Sequence, residues 1–146
     1  MNTRPVLIID DDQDDLDLIS EAFSELNISN KIVCFSKAED AIDFLSGSNV
    51  QPLFILCDVN MYGMNGFELR QKIYDNEKLR VKSIPFLFLS TGGTAKSVAK
   101  AYDLSVQGYF IKPTSIKGIV TMLRKIIHYW TTCYHPNTRG LEDEGG

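Results

Sequence analysis

The sequence predicts an α/β fold, a doubly wound five-stranded parallel sheet with helices on both faces, and three observations predict it. Five short apolar runs have the length and composition of strands: PVLII (5–9), KIVCF (31–35), LFILC (53–57), PFLFL (85–89) and GYFI (108–111). Segments of helical period separate them, so strand and helix alternate along the chain. The runs are apolar throughout rather than at every second residue, the pattern of a parallel sheet buried on both faces.

Taken in order, the first helix carries Leu16, Ile19, Phe23 and Leu26 on one face. The second carries Ala38, Ala41, Ile42 and Leu45 before Gly47 stops it. After the third strand comes a glycine-containing loop, then a helix from about Gly66 to Asn76 with Phe67, Leu69 and Ile73 facing inward. Thr94 to Leu104 offers a thinner stripe of Val98, Ala101 and Tyr102 or Leu104. The last helix, Ser115 to Trp130, has the fullest one, with Ile116, Ile119, Val120, Leu123, Ile126, Ile127 and Trp130. It is expected to start at Thr114 or Ser115, whose hydroxyl can accept from an orphan backbone N–H while Pro113 disfavours helix upstream. Right-handed crossovers between five such strands fit the flavodoxin-like order 2-1-3-4-5. The folded unit is expected over 4–130, with a tail over 131–146 in which Pro136, Gly140 and the acidic end favour irregular chain.

At 146 residues and 44% hydrophobic content the chain has the size of one domain with one core. A net charge of -4 gives a nucleic-acid backbone no broad electrostatic reason to bind, so no direct nucleic-acid contact is expected. No apolar run is long enough to span a bilayer and no secretory signal pattern opens the chain, so no membrane insertion and a cytoplasmic location are expected. Three cysteines cannot all pair within one chain, and none has Cys-x-x-Cys spacing. Cys34 and Cys57 lie inside apolar runs and read as small buried hydrophobes. Cys133 and His135 lack companions for a zinc site.

The first strand runs into Asp10, Asp11 and Asp12, and the third into Asp58. In a parallel sheet these ends meet at one carboxyl edge, where the strand order reverses. Carboxylates gathered there repel, and a hard divalent cation is the simplest compensation. Mg2+ suits such a site because it takes oxygen ligands and uses one or two carboxylates together with phosphate oxygens. Asp12, Asp14, Asp15 and Asp17 read instead as acids decorating the first turns of a helix, at the positive end of its dipole. Ser90 and Lys112 end the fourth and fifth strands, adding a hydroxyl and a cation to the same edge. With them, Asp58 can attack phosphorus through a carboxylate oxygen while Lys112 neutralises the phosphate oxygens and Ser90 donates to one of them.

LIIDDD, LCDVNMYGMNG, FLFLST and GYFIKP, in this order and spacing from about Arg4 to Trp130, resemble the receiver domains of two-component response regulators. The resemblance implies Asp58 as phosphoacceptor and Asp10, Asp11, Asp58 and the backbone carbonyl of Asn60 as ligands of Mg2+. It implies Ser90 as the switch hydroxyl, Lys112 as the phosphate-contacting lysine in a cis bond to Pro113, and Tyr109 as an aromatic that turns inward with Ser90. It further implies a sensor histidine kinase or phosphotransfer protein as donor and a downstream protein target, met through the fourth helix, fifth strand and last helix. With only a short tail after the last helix, output is expected through surface contacts rather than an appended domain. The chain departs from the family in carrying Tyr62 where proline is frequent, and Gly92 and Gly93 loosen the loop after the fourth strand.

The expected function is that of a stand-alone phosphoacceptor, not an enzyme acting on a separate substrate. A phosphorelay shuttle is the neighbouring alternative. A phosphorylation-independent binding module is disfavoured because every core site residue is present. An aspartate-nucleophile phosphatase is disfavoured because such enzymes resemble Asp-x-Asp-x-Thr after the first strand. Tyr129, Trp130, Tyr134 and His135 form an aromatic group that suits either a homodimer or partner interface or a cap on the core.

Overall fold

The computed structural model describes residues 4–135. Its elements run β1 (Val6–Ile9), α1 (Gln13–Glu25), β2 (Ile32–Phe35), α2 (Ala38–Ser46), β3 (Phe54–Asp58), α3 (Gly66–Asp75), α4 (Glu77–Arg80), β4 (Phe86–Ser90), α5 (Ala95–Asp103), β5 (Gly108–Ile111) and α6 (Ile116–Thr132). The strands form one parallel sheet in the order β2-β1-β3-β4-β5, as expected.

Alternate strand residues feed two cores. Leu7, Ile9, Ile55, Cys57, Phe86 and Phe88 pack beneath α2, α3 and α5. Val6, Ile8, Phe54, Leu56, Leu87 and Leu89 pack beneath α1 and α6. Period-two strands filled on both faces are why β1, β3 and β4 are buried at every position. The edge strands β2 and β5 are only partly covered. This edge position corrects the expectation for Cys34, which is exposed, whereas Cys57 in the central β3 is buried.

Capping sets the helix starts. Asp12, Thr94 and Ser115 each accept an N–H from the first turn of α1, α5 and α6, and Asn65 with Glu68 closes a capping box on α3. The stripe on α5 is thinner still than expected, since Ala101 alone is fully buried there and Tyr102 is exposed. Buried Arg70 of α3 holds the far end of this helix. Its Nε donates to the Leu104 carbonyl at 2.9 Å and its Nη2 to that of Ser105 at 3.0 Å, with the guanidinium against the Phe86 ring. Helix α4 was not expected, because one turn carries no readable period.

The last helix runs past Trp130 to Thr132, and Cys133 to His135 follow it as irregular chain held against the fold. His135 is buried and its Nε2 donates to the Ser83 carbonyl, so this member of the aromatic group caps the molecule, while Tyr129 and Tyr134 are exposed. Pro136, Gly140 and the acidic end lie outside the described residues. No helix among the described residues is long and apolar enough to cross a membrane.

Candidate functional site

Because the sheet is parallel, β1, β3, β4 and β5 deliver Asp10, Asp58, Ser90 and Lys112 to one edge. Asp10, Asp11 and Asp58 each present an oxygen within 4.8 Å of the others. Lys112 Nζ reaches among them, 3.0 Å from Asp10 Oδ2 and 3.7 Å from Asp58 Oδ1. Its shortest contact, at 2.6 Å, is with Asp15 Oδ2. That contact corrects the reading of Asp15 as a helix decoration: it stands on the inner side of α1 and shares the lysine. Asp12 keeps the role expected of it and caps α1.

Asp10, Asp11 and Asp58 each have their own backbone support. Asp10 Oδ1 accepts the Asp12 N–H at 2.9 Å, Asp58 Oδ1 accepts the Asn60 N–H at 3.4 Å, and Asp11 Oδ2 accepts the Tyr62 N–H at 2.8 Å. Burial nevertheless dominates at two of them. Asp10, 2% exposed, is pushed up to about 6 by loss of water, with the Asp58 charge adding to the rise against the Asp12 amide and Lys112. Asp58 is also raised by burial, opposed chiefly by Lys112. At Lys112 the balance reverses: burial favours the neutral amine, yet hydrogen bonds to Asp15 and Asp10 and the nearby carboxylates hold the ammonium well above its ordinary range. Four carboxylates, Asp10, Asp11, Asp15 and Asp58, against one cation leave negative charge in excess, which is the environment a hard divalent cation with oxygen ligands fits.

Ser90 is buried, and its Oγ donates to the Gly92 carbonyl at 2.8 Å. The half-buried Tyr109 donates its hydroxyl to the same carbonyl at 3.0 Å, with its ring edge-on to Phe88. One acceptor in the loop after β4 thus joins the two residues expected to move together. Lys112 N–H donates to the Ser90 carbonyl at 2.7 Å. The bond from Lys112 to Pro113 is trans, which corrects the expected cis bond; no cis peptide occurs among the described residues. Trans is the lower-energy isomer of an Xaa–Pro bond, and Lys112 reaches the carboxylates with the bond in that form.

Gly66, the first residue of α3, lies under the phosphoacceptor candidate. A Cβ there would stand 2.5 Å from the Asp58 carbonyl oxygen and 2.8 Å from the Phe88 ring, and the Gly66 N–H donates to the Val59 carbonyl. Backbone and aromatic ring cannot both yield in so tight a place. Gly66→Ala is therefore expected to cost about 2–3 kcal/mol through overpacking, read as a lower urea midpoint at unchanged m-value. A midpoint within error of the wild type would show that the end of β3 gives way freely.

Residues 6–124 match the response regulator receiver domain, and the chain belongs to that family. Among relatives, it is 28% identical over 129 residues to the probable methanogenesis regulatory protein FilR2 of Methanothrix harundinacea (strain 6Ac), covering 86% of this chain and 82% of that protein. It is 26% identical over 132 residues to the response regulator Rcp1 of Synechocystis sp., covering 87% and 88%. Its fold is shared with the phosphorylated cyanobacterial phytochrome response regulator RcpA, at TM-score 0.82 and 22% identity over 94% of this chain and 100% of that one. The Mn(2+)-bound form of Rcp1 superimposes with TM-score 0.76 and 24% identity over 90% and 97%.

Proposed function

We propose that this receiver accepts a phosphoryl group on Asp58 from a phosphohistidine of a sensor histidine kinase or phosphotransfer protein, with Mg2+ as its cofactor. The observation that carries the reading is the placement of the Asp58 carboxylate at the end of β3, 3.7 Å from Lys112 Nζ and clustered with Asp10 and Asp11. Phosphoryl transfer asks mainly for positioning and charge neutralisation, and the site offers both. An Asp58 oxygen forms the new bond to phosphorus as the phosphorus–nitrogen bond breaks, and the electron pair of that bond stays on the imidazole. Lys112 balances charge on the transferred oxygens, and Ser90 turns its hydroxyl from Gly92 toward one of them. Tyr109, bonded to the same carbonyl, follows that loop.

Asp10, Asp11, Asp58 and the Asn60 carbonyl would hold the cation, which when bound neutralises the carboxylates and the incoming phosphoryl oxygens. The Mn(2+)-bound state of Rcp1 and the phosphorylated state of RcpA support this reading. The protein acts as a signalling phosphoacceptor rather than as an enzyme with a separate substrate. It works in the cytoplasm and passes the signal to a downstream protein. The switching surface comprises α5, β5 and α6, where Tyr102 and Ile111 are exposed.

Intact-mass spectrometry after incubation with acetyl phosphate tests the proposal. The wild type is expected to gain one phosphoryl mass with Mg2+ present and none after chelation, and Asp58→Asn none under either condition. An adduct of equal yield on Asp58→Asn would remove Asp58 as the acceptor.

A further inference from the structure

Asp10 and Asp58 are both tied to Lys112, but the hydrogen bond that reaches Asp11 comes from across the mouth of the site. The backbone N–H of Tyr62 donates to Asp11 Oδ2 at 2.8 Å, joining positions 51 residues apart in sequence. The Tyr62 side chain is 94% exposed, so what this residue brings to the site comes from its main chain and not from its ring. The next residue, Gly63, has a φ of 69°, which turns the chain sharply just after the donor. Asp11, Asn60, Met61, Tyr62 and Asn65 together line an open cavity of about 380 Å³ beside the carboxylates.

A carboxylate on a free side chain must give up rotamer freedom before it can ligate a cation. One already held by an amide is oriented beforehand, and the supporting bonds of ligating carboxylates strongly affect metal affinity. A charge-assisted amide–carboxylate bond of this length is also stronger than a neutral one. We propose that the Tyr62 amide is a positioning group for the divalent cation: it fixes the Asp11 carboxylate in the orientation from which it ligates, and ties the loop after β3 to cation binding. The proposal rests on the reading of Asp10, Asp11 and Asp58 as a cation site. It predicts that the identity of residue 62 matters through the presence of an N–H and not through the size of the side chain.

Calorimetric titration of the full chain with MnCl2 and with MgCl2 separates the two contributions. Tyr62→Ala keeps the amide and deletes the ring, and is expected to bind within about twofold of the wild type. Tyr62→Pro has no N–H to donate and is expected to bind about tenfold more weakly. Equal affinity in the proline variant, or an equal loss in the alanine variant, overturns the proposal. A wild type that binds neither cation overturns the underlying metal reading, and the proposal with it. A proton NMR measurement on the wild type stands independently of how the proline variant folds. The Tyr62 amide proton is expected to be deshielded and slow to exchange, and to lose both properties in Asp11→Ala. An amide that exchanges as a free one in the wild type counts against the proposal.

Discussion

Lys112→Met is expected to slow phosphoryl uptake from acetyl phosphate by about 10²- to 10³-fold, the scale seen when one preorganised charge-stabilising group is removed. It is also expected to change how stability depends on pH. The ammonium lies within 4.0 Å of Asp10, Asp15 and Asp58, and methionine restores most of its stem without its charge. At pH 8, with no divalent cation, the variant keeps buried carboxylates that have lost their cation, and roughly 2–3 kcal/mol of stability should disappear. Below pH 5 Asp10 takes up a proton, the repulsion falls, and wild type and variant should approach each other. Urea unfolding at the two pH values distinguishes this from lost packing, which would lower stability equally at both. MgCl2 at pH 8 should restore part of the difference.

Those contacts also show how far the sequence could be read. Asp10, Asp58, Ser90 and Lys112 were legible because each ends an apolar run, and parallel strands must bring such ends to one edge. Asp15 was not legible. Its neighbours Asp12, Asp14 and Asp17 have the same composition, and only the start of α1 at Gln13 and its seating against the sheet turn Asp15, rather than the others, toward Lys112. The helix faces were readable wherever apolar residues recur over two or more turns, as in α1 and α6. The single turn of α4 offered no such recurrence. Buried Arg70 carried no signal either, since its partners are the backbone carbonyls of Leu104 and Ser105, and any residue supplies a carbonyl. The same limit hid the Tyr62 amide. Sequence reading singled out position 62 for the lost proline dihedral and the bulky side chain, whereas the structure uses its N–H. Cys34 was misplaced because an apolar run looks alike in a central strand and at an edge.

Relative to an Asp10→Asn variant, the metal-free protein is expected to lose stability as the pH rises from about 4 to 7, the reverse of ordinary acid denaturation. Burial holds Asp10 at about 6 in the folded chain, against about 3.9 when unfolded. Between these values the folded state binds more protons than the unfolded one, so the slope of unfolding free energy with pH is negative. The contribution from this group is fully present below about pH 4 and is lost as pH passes 6, a change of roughly 3 kcal/mol for a difference of about two units. Asp58, raised in the same direction, adds to it. The quantity to measure is the stability of the wild type relative to Asp10→Asn, by urea unfolding in EDTA from pH 4 to 8. The wild type should fall relative to the variant as pH rises; parallel curves would show that Asp10 ionises in the folded chain as easily as in the unfolded one. With a divalent cation this loss should largely vanish, because ligation requires the deprotonated carboxylate. A cation at 100 times its Kd adds about 2.7 kcal/mol, close to what deprotonating Asp10 removes. Burial of Asp10 thus costs, at neutral pH, about what a ligated cation would return.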